Sequence, residues 1–205
     1  EDQCIKVKKL FYKFKAKRLV IDGNGLGIGL LDYLVKPQID PDTNELFPDF
    51  GVYNDEDGYY KKYRTQNCEQ DALYVIKANA PINTEAHANA QTQLSSGKVK
   101  MLIDERVAKT KLLGTKVGQN MTPEERAEYL KPFTLTSILK EEMMNLREET
   151  EGVNIILKQA NRGIRKDKFS AFEYGLYYIK NEEDNKKKKK KFNAKEWCFF
   201  NWYNF

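Results

Sequence analysis

Near the start of the chain stands the stretch Lys17-Arg-Leu-Val-Ile-Asp-Gly-Asn-Gly-Leu-Gly-Ile-Gly-Leu-Leu-Asp-Tyr-Leu34. It predicts a short buried strand over 19–21, an acidic residue at the strand's end, a glycine-rich turn and an apolar helix. Open α/β sheets bind ligands at the carboxyl ends of their strands. Glycines in such a turn let a backbone or a phosphate approach closely. Asp22 is therefore the first candidate functional residue.

Hydrophobic periodicity extends this pattern over the rest of the chain. Apolar residues at 7, 10, 11 and 14 predict an amphipathic helix over 1–16. Strands that alternate with helices favour an α/β layered fold. The other predicted elements are a strand at 18–22, a helix at 26–35, a long loop or loose hairpin at 38–71, a strand at 72–78, a helix at 84–94, a strand at 98–103, a helix at 105–113, a mobile connection at 114–121, a helix begun by Thr122 and Pro123, a long helix at 130–151 that Pro132 can break, a strand at 154–159, a polar turn at 160–166 and a helix at 169–181.

Charge and length limit the classes of protein to consider. The 205 residues suffice for one core of ordinary size with a tail left over. The net charge is +5, but the run Lys186–Lys191 supplies six positive charges, so the rest of the chain carries −1. Basic composition alone is thus weak support for a nucleic-acid partner. No apolar run reaches the ~20 residues that cross a bilayer, so no membrane partner is expected.

Cysteine usage indicates a reducing compartment. Cys4, Cys68 and Cys198 are odd in number, far apart and without nearby histidines. This pattern argues against a disulfide framework and a zinc site, and favours the cytoplasm. The chain opens on Glu1 within a helical pattern, so we expect it to be part of a longer protein.

The glycine turn departs from both common phosphate-binding signatures. A G-x-G-x-x-G fingerprint would need glycine at 28 or at 30, where Ile28 and Leu30 stand. No Gly-Lys-Ser/Thr follows, so the turn is not a Walker motif. Two interpretations remain open beside a catalytic one: a nucleotide-binding turn, and a structural turn in which Asp22 caps the helix.

A second acidic position comes late in the chain. Asp167 falls after a predicted strand and just before a predicted helix, a place that is equally typical of a helix N-cap. If Asp22 and Asp167 both follow strands of one sheet, they would converge on a divalent cation, since carboxylates are the ligands that Mg²⁺ and Mn²⁺ prefer. Two such ions ~4 Å apart activate a water and stabilise the leaving oxygen of a phosphodiester. The basic residues nearby would contact phosphates or simply be solvated: Arg162, Arg165, Lys166 and Lys168.

Other polar residues are weaker candidates for a functional role. His87 is the only histidine, and we expect a surface or capping role rather than catalysis. The acidic run Asp55-Glu56-Asp57 is expected to be a solvated loop, and Asp104 to start a helix. Lys77 lies between apolar residues within the predicted strand at 72–78 and is expected to extend its amine to water.

The residues also resemble a known family. Val20–Leu34 resembles the second acidic motif of the nuclease domain in large terminase subunits of tailed phages. Three more segments follow in the same order: Tyr74–Ala78, Gln93–Ile103 and Arg165–Leu176, the last resembling the third acidic motif. The resemblance covers residues 1–181 and leaves out a Lys-rich, aromatic tail at 182–205.

The resemblance implies a ribonuclease-H-like fold, with a mixed central sheet flanked by helices and its first strand missing. It implies a metal-dependent endonuclease that cuts concatemeric double-stranded viral DNA before and after a capsid is filled. Asp22 and Asp167 would be catalytic residues that bind two Mg²⁺ or Mn²⁺ ions, and the four basic residues near Asp167 would seat the DNA. The implied partners are DNA, the terminase ATPase domain, the portal and the small terminase subunit, in the host cytoplasm.

Two departures from the family leave alternatives open. The family's first acidic residue lies on a strand that would precede Glu1, and no Walker motif is present. One alternative is therefore a non-catalytic DNA- or protein-binding module that depends on Lys186–Lys191. The other is a nucleotide-binding α/β domain that rests on the glycine turn.

Overall fold

The computed structural model describes residues 2–24 and 26–200, and the side chains among them other than Leu26 and 189–200. The protein is mixed α/β, which confirms the predicted fold class at that level. Two compact units are present, Glu1–Ile82 together with Tyr174–Phe205, and Asn83–Glu173. Among the described residues no helix is both long and apolar enough to span a bilayer.

The first unit follows the predicted order of strands and helices, with additions in the segment 38–71. The predicted loose hairpin there is a short antiparallel pair, and a strand follows it that the sequence did not indicate. The elements are α1 (Asp2–Lys13), β1 (Leu19–Asp22), α2 (Leu26–Leu34), β2 (Gln38–Ile39), β3 (Leu46–Phe47), β4 (Phe50–Val52), a 3₁₀ helix (Lys61–Tyr63) and β5 (Glu69–Ile76).

A parallel sheet in the order β1-β5-β4 forms the centre of this unit. In the pairing of β1 with β5, Leu19 lies opposite Leu73 and Asp22 opposite Ile76. Because β4 also runs parallel to β5, the carboxyl ends of these strands share one edge of the sheet. The mixed central sheet implied by the resemblance is not what the described strands form, since the antiparallel pairs belong to separate small sheets.

A buried lysine ties three parts of the first unit together. Lys8 of α1 is fully buried, and its Nζ donates hydrogen bonds of 2.7 Å to the carbonyl oxygens of Lys36 and Pro48. The same Nζ lies 5.0 Å from the ring centre of Phe50. Burial lowers the pKa of the Lys8 amine from 10.5 to about 8, against the opposing effect of nearby acidic groups. The apolar core around this region comprises Cys4, Phe11, Ile21, Leu31, Leu34, Val35, Phe50, Val52, Ala72, Leu73 and Val75.

Lys8 also explains an error in the predicted face of α1. Leu10 is half exposed and Phe14, which lies beyond the helix, is 72% exposed. The buried face runs instead through Cys4, Lys8 and Phe11. A hydrophobic pattern cannot include a buried lysine, because burial of an amine is tolerated only when it has hydrogen-bond partners, here two carbonyls from distant parts of the chain.

The second unit combines helices with one antiparallel hairpin. Asp104 begins a helix as predicted, since its side chain accepts the N–H of Arg106 at 2.8 Å. Thr122 and Glu125 form a capping box at the next long helix, with Pro123 in its first turn. The elements are α3 (Ala80–Ser95), α4 (Glu105–Leu113), α5 (Lys116–Asn120), α6 (Pro123–Met144), β6 (Leu146–Glu151), β7 (Asn154–Gln159) and the start of α7 (Asp167–Phe200).

Two predictions in this unit are wrong for the same reason, a lack of long-range information. The segment 98–103 is not a strand, and it lies along α6, where Lys140 donates to the carbonyl of Leu102 at 2.9 Å. The predicted long helix at 130–151 ends at Met144, with Pro132 inside it, and the residues after Asn145 form β6. Pairing with β7 turns these helix-favouring residues into a strand.

Two further segments are more helical than predicted. The connection 114–121 contains α5, whose N-terminus is capped by Thr115 through the N–H of Gly118 at 3.0 Å. The tail predicted to begin after residue 181 continues α7, which runs to Phe200. The aromatic residues 201–205 and the aromatic side chains before them lie outside the described part of the chain.

We predict opposite effects for alanine at two glycines of α2. A Cβ at Gly27 would overlap the carbonyl oxygen of Asp22, whereas a Cβ at Gly29 would meet nothing within 4 Å. Gly27→Ala should lower the free energy of unfolding by several kcal/mol, roughly 3 or more. Gly29→Ala should raise it by about 0.5–1 kcal/mol, because alanine favours helix. Urea denaturation measures the unfolding free energy of both variants. Equal changes in the two variants would contradict the close approach of Gly27 to the carbonyl of Asp22.

Candidate active site

Asp22 ends β1 with its carboxylate exposed. Its Oδ1 accepts the backbone N–H of Asn24 at 3.0 Å, and Oδ2 has no hydrogen bond to any described residue. The bonded N–H lies two residues before Leu26, the first residue of α2. Two bonds hold the turn after Asp22: Gly23 N–H to Ile76 O, at the end of β5, at 2.7 Å, and Asn24 Nδ2 to Ala78 O, two residues beyond β5, at 2.8 Å. The strand end therefore presents a positioned carboxylate with one oxygen that no described residue binds.

The glycines after Asp22 serve the local packing of the chain. Gly27 faces the carbonyl of Asp22, and a side chain at Gly23 would collide with Val75. Gly29 faces open space, and Gly25 lies outside the described residues. The close approach expected of the turn is thus made at Gly27 by the protein's own backbone.

Asp167 is the exposed first residue of α7. The helix N-terminus is capped by another residue, Glu142 of α6, whose Oε2 accepts the N–H of Phe169 at 3.0 Å. Glu142 is almost fully buried, and its Oε1 lies 3.3 Å from Lys168 Nζ. The alternative that Asp167 is the N-cap is therefore wrong, and its carboxylate is left on the surface.

The four basic candidates lie together around Asp167, all exposed. Asn145, the residue after α6, holds their loop in place. Its side chain accepts the N–H of Asn161 at 2.8 Å and donates to the carbonyl of Asn161 at 2.9 Å. Lys168 is partly neutralised by Glu142, whereas Arg162 and Arg165 have no carboxylate partner among the described residues. The loop is a fixed platform for at least two free positive charges.

The expectation that both aspartates follow strands of one sheet is wrong. Asp22 ends a strand of the three-stranded parallel sheet in the first unit. Asp167 follows β7, which pairs only with β6 in the second unit. Within the described residues, no three His, Cys, Asp or Glu side chains are grouped to hold a metal ion. In donor chemistry, exposed carboxylate oxygens such as those of Asp22 and Asp167 fit Mg²⁺ or Mn²⁺.

His87 is buried and paired, contrary to the surface or capping role expected of it. Its Nε2 lies 2.6 Å from Oε1 of Glu148, which also accepts a hydrogen bond from Gln91. Its Nδ1 is buried and has no hydrogen-bond partner in the described part of the chain. Glu148 is 61 residues away in sequence, so no local pattern could have indicated the pair.

Glu173 is a second group that sequence reasoning missed. It is 6% exposed on α7, and burial raises the pKa of its carboxyl from 4.5 to about 7, against the opposing charge of Lys166. Its position, six residues after Asp167 on the same helix, gave no sign of burial.

Glu173 should make stability depend on pH. Its pKa is higher in the folded than in the unfolded chain, so the folded chain holds the extra proton and stability falls as pH rises from 4.5 to about 7. Glu173→Gln removes this titration. The unfolding free energy of the variant minus that of the original chain should therefore increase by up to about 3 kcal/mol as pH rises through that window. Urea denaturation at pH 5 and pH 8 measures it, with exposed Glu128→Gln as control. The prediction would be contradicted if the unfolding free energies of Glu173→Gln and the original chain differed by the same amount at both pH values.

No protein-family model, curated protein or solved structure matches the chain.

Proposed function

We propose that the chain is the nuclease part of a DNA-packaging terminase, a metal-dependent endonuclease of ribonuclease-H-like fold. The observation that carries the proposal is the exposed carboxylate of Asp22 at the carboxyl end of a parallel strand, with one oxygen that has no hydrogen-bond partner among the described residues. In α/β proteins this edge is where ligands bind. The order of the two acidic motifs along the chain agrees with that family.

The surroundings of both aspartates support a chemical role. A structural aspartate at a strand-to-helix turn usually caps the helix. Here Oδ2 of Asp22 has no hydrogen-bond partner among the described residues, and buried Glu142 caps α7 in place of Asp167. Both carboxylates therefore remain available to a ligand.

Asp22 and Asp167 would hold the divalent cations, Mg²⁺ or Mn²⁺. When bound, such ions supply Lewis-acid activation of water and stabilise the leaving oxygen of a phosphodiester. The chain's own contribution is to position the two carboxylates and to bind the DNA backbone through Arg162, Arg165 and their neighbours. Additional ligands are needed to complete the coordination of either ion.

Metal binding tests this proposal directly. Asp22→Asn and Asp167→Asn should each weaken Mn²⁺ binding at least tenfold in calorimetric titration, because each removes an anionic ligand. Any Mn²⁺-dependent cleavage of plasmid DNA should also disappear. Asp32→Asn is the matched control, since it removes an exposed charge from α2 outside the site. Mn²⁺ affinity unchanged in both site variants would refute the proposal.

The loop around Asp167 should contribute to DNA affinity through charge. Replacing Arg162 and Arg165 by Gln should weaken duplex binding and reduce the salt slope by roughly 0.9 for each phosphate that is no longer neutralised. The control replaces Lys109 and Lys111, two exposed lysines of α4, by Gln. Fluorescence anisotropy across a KCl series gives both quantities. Equal reductions of affinity in the two variants would show that only net charge matters.

A non-catalytic DNA-binding module is the second candidate. It is favoured by the lack of a three-residue metal group among the described residues. This candidate predicts DNA binding that is indifferent to Mg²⁺ and that disappears when Lys186–Lys191 is deleted. The same anisotropy experiment distinguishes the two, since the nuclease proposal places the DNA-binding charges at Arg162 and Arg165.

A further inference from the structure

A cleft of about 840 Å³ opens in the first unit and is not used by the proposed cleavage. Val52, the last residue of β4, lines it together with Ile76 and Lys77 at the end of β5. The cleft therefore lies at the carboxyl edge of the parallel strands, where α/β sheets bind ligands. Its volume is in the range of small-molecule sites.

Aromatic rings form much of its lining. Tyr59, Tyr60, Tyr74 and Tyr177 all contribute, and the rings of Tyr59 and Tyr60 meet edge to face at 5.0 Å. Tyr59 is 58% exposed, and Lys62 Nζ lies over one face of its ring, 4.1 Å from the centre. A planar ligand would therefore stack on the opposite face. Tyrosine faces stack on nucleobases with little regard to sequence.

The polar lining is selective in what it can bond. Asp55, Glu56 and Asp57 line the cleft, and the N–H of Tyr60 bonds Asp55 Oδ2 at 2.9 Å, which fixes the loop. The acidic run is thus part of a cleft, and not only the solvated loop expected from sequence. Ionised carboxylates only accept hydrogen bonds, so they suit a donor such as an exocyclic amine. Lys77 is exposed and adds a cation to the same lining.

We propose that this cleft binds a nucleotide whose base carries an exocyclic amino group, with the base among the tyrosines, the amine on the carboxylates and the phosphate on Lys77. Adenine, cytosine and guanine carry such an amine and thymine does not. The site is distinct from the glycine turn, and the inference does not depend on metal-dependent cleavage. The shared chemistry belongs both to free nucleotides and to unpaired nucleotides of a strand.

Calorimetric titration of the whole chain with dCMP, dTMP and a single-stranded deoxycytidine oligomer, in EDTA, tests the proposal. We expect dCMP to bind about tenfold more tightly than dTMP, because a carboxylate pairs with the amine of cytosine and not with the O4 of thymine. Equal affinities for the two nucleotides, or no binding of any of the three ligands, would overturn it. This comparison uses the unaltered protein, so it does not depend on a variant that folds.

Variants then test the individual contacts. Tyr59→Ala should weaken dCMP binding about tenfold and Tyr59→Phe should not, since stacking needs only the ring. Tyr129→Ala, an exposed tyrosine of α6, is the control. The original chain should bind dCMP more tightly than deoxycytidine, which lacks the phosphate, and Lys77→Gln should remove this difference in affinity. Binding that is insensitive to Tyr59→Ala, or a dCMP advantage that survives Lys77→Gln, would contradict these contacts.

The oligomer identifies the source of the nucleotide. If it binds much more tightly than dCMP, with the same dependence on Tyr59, the ligand is an unpaired strand. Equal affinities per site would indicate the free nucleotide. Asp22→Asn should change neither result, so a failure of the nuclease proposal and a failure of the nucleotide proposal are distinguishable.

Discussion

Parallel pairing of β1 with β5 is the constraint that positions the candidate sites at the carboxyl edge of the sheet. Since Asp22 lies opposite Ile76, the end of one strand is in register with the end of the other. The bonds from Gly23 to Ile76 and from Asn24 to Ala78 then hold the turn after Asp22. The same register places Lys77 beside the aromatic cleft. One pairing thus determines both the candidate metal ligand and the candidate nucleotide site.

Buried polar groups support this arrangement from inside each unit. Lys8 joins α1 to the segments that follow α2 and β3 through two carbonyls, although burial of its amine is itself unfavourable. Glu142 caps α7, and Asn145 fixes the basic loop that precedes it. Each group satisfies backbone atoms that the chain would otherwise leave unpaired. As a result, Asp167 is not needed to cap α7.

Local signals in the sequence predicted the parts of the structure that depend on neighbours in the chain. The strand ending at Asp22 and the cap at Thr122 were both recognisable in this way. Features that depend on distant partners were not. β6 consists of helix-favouring residues that become a strand only through β7, and Glu142 caps a helix that begins 25 residues later, at Asp167. Burial of His87 and Lys8 likewise depends on partners far along the chain.

The central claim is that Asp22 and Asp167 bind divalent cations. A crystal of the protein soaked in Mn²⁺ and measured for anomalous scattering tests it most directly. We expect anomalous density coordinated by carboxylate oxygens of Asp22 and Asp167. Ordered carboxylates of both residues with no peak beside them, or a peak held by other residues alone, would contradict the claim.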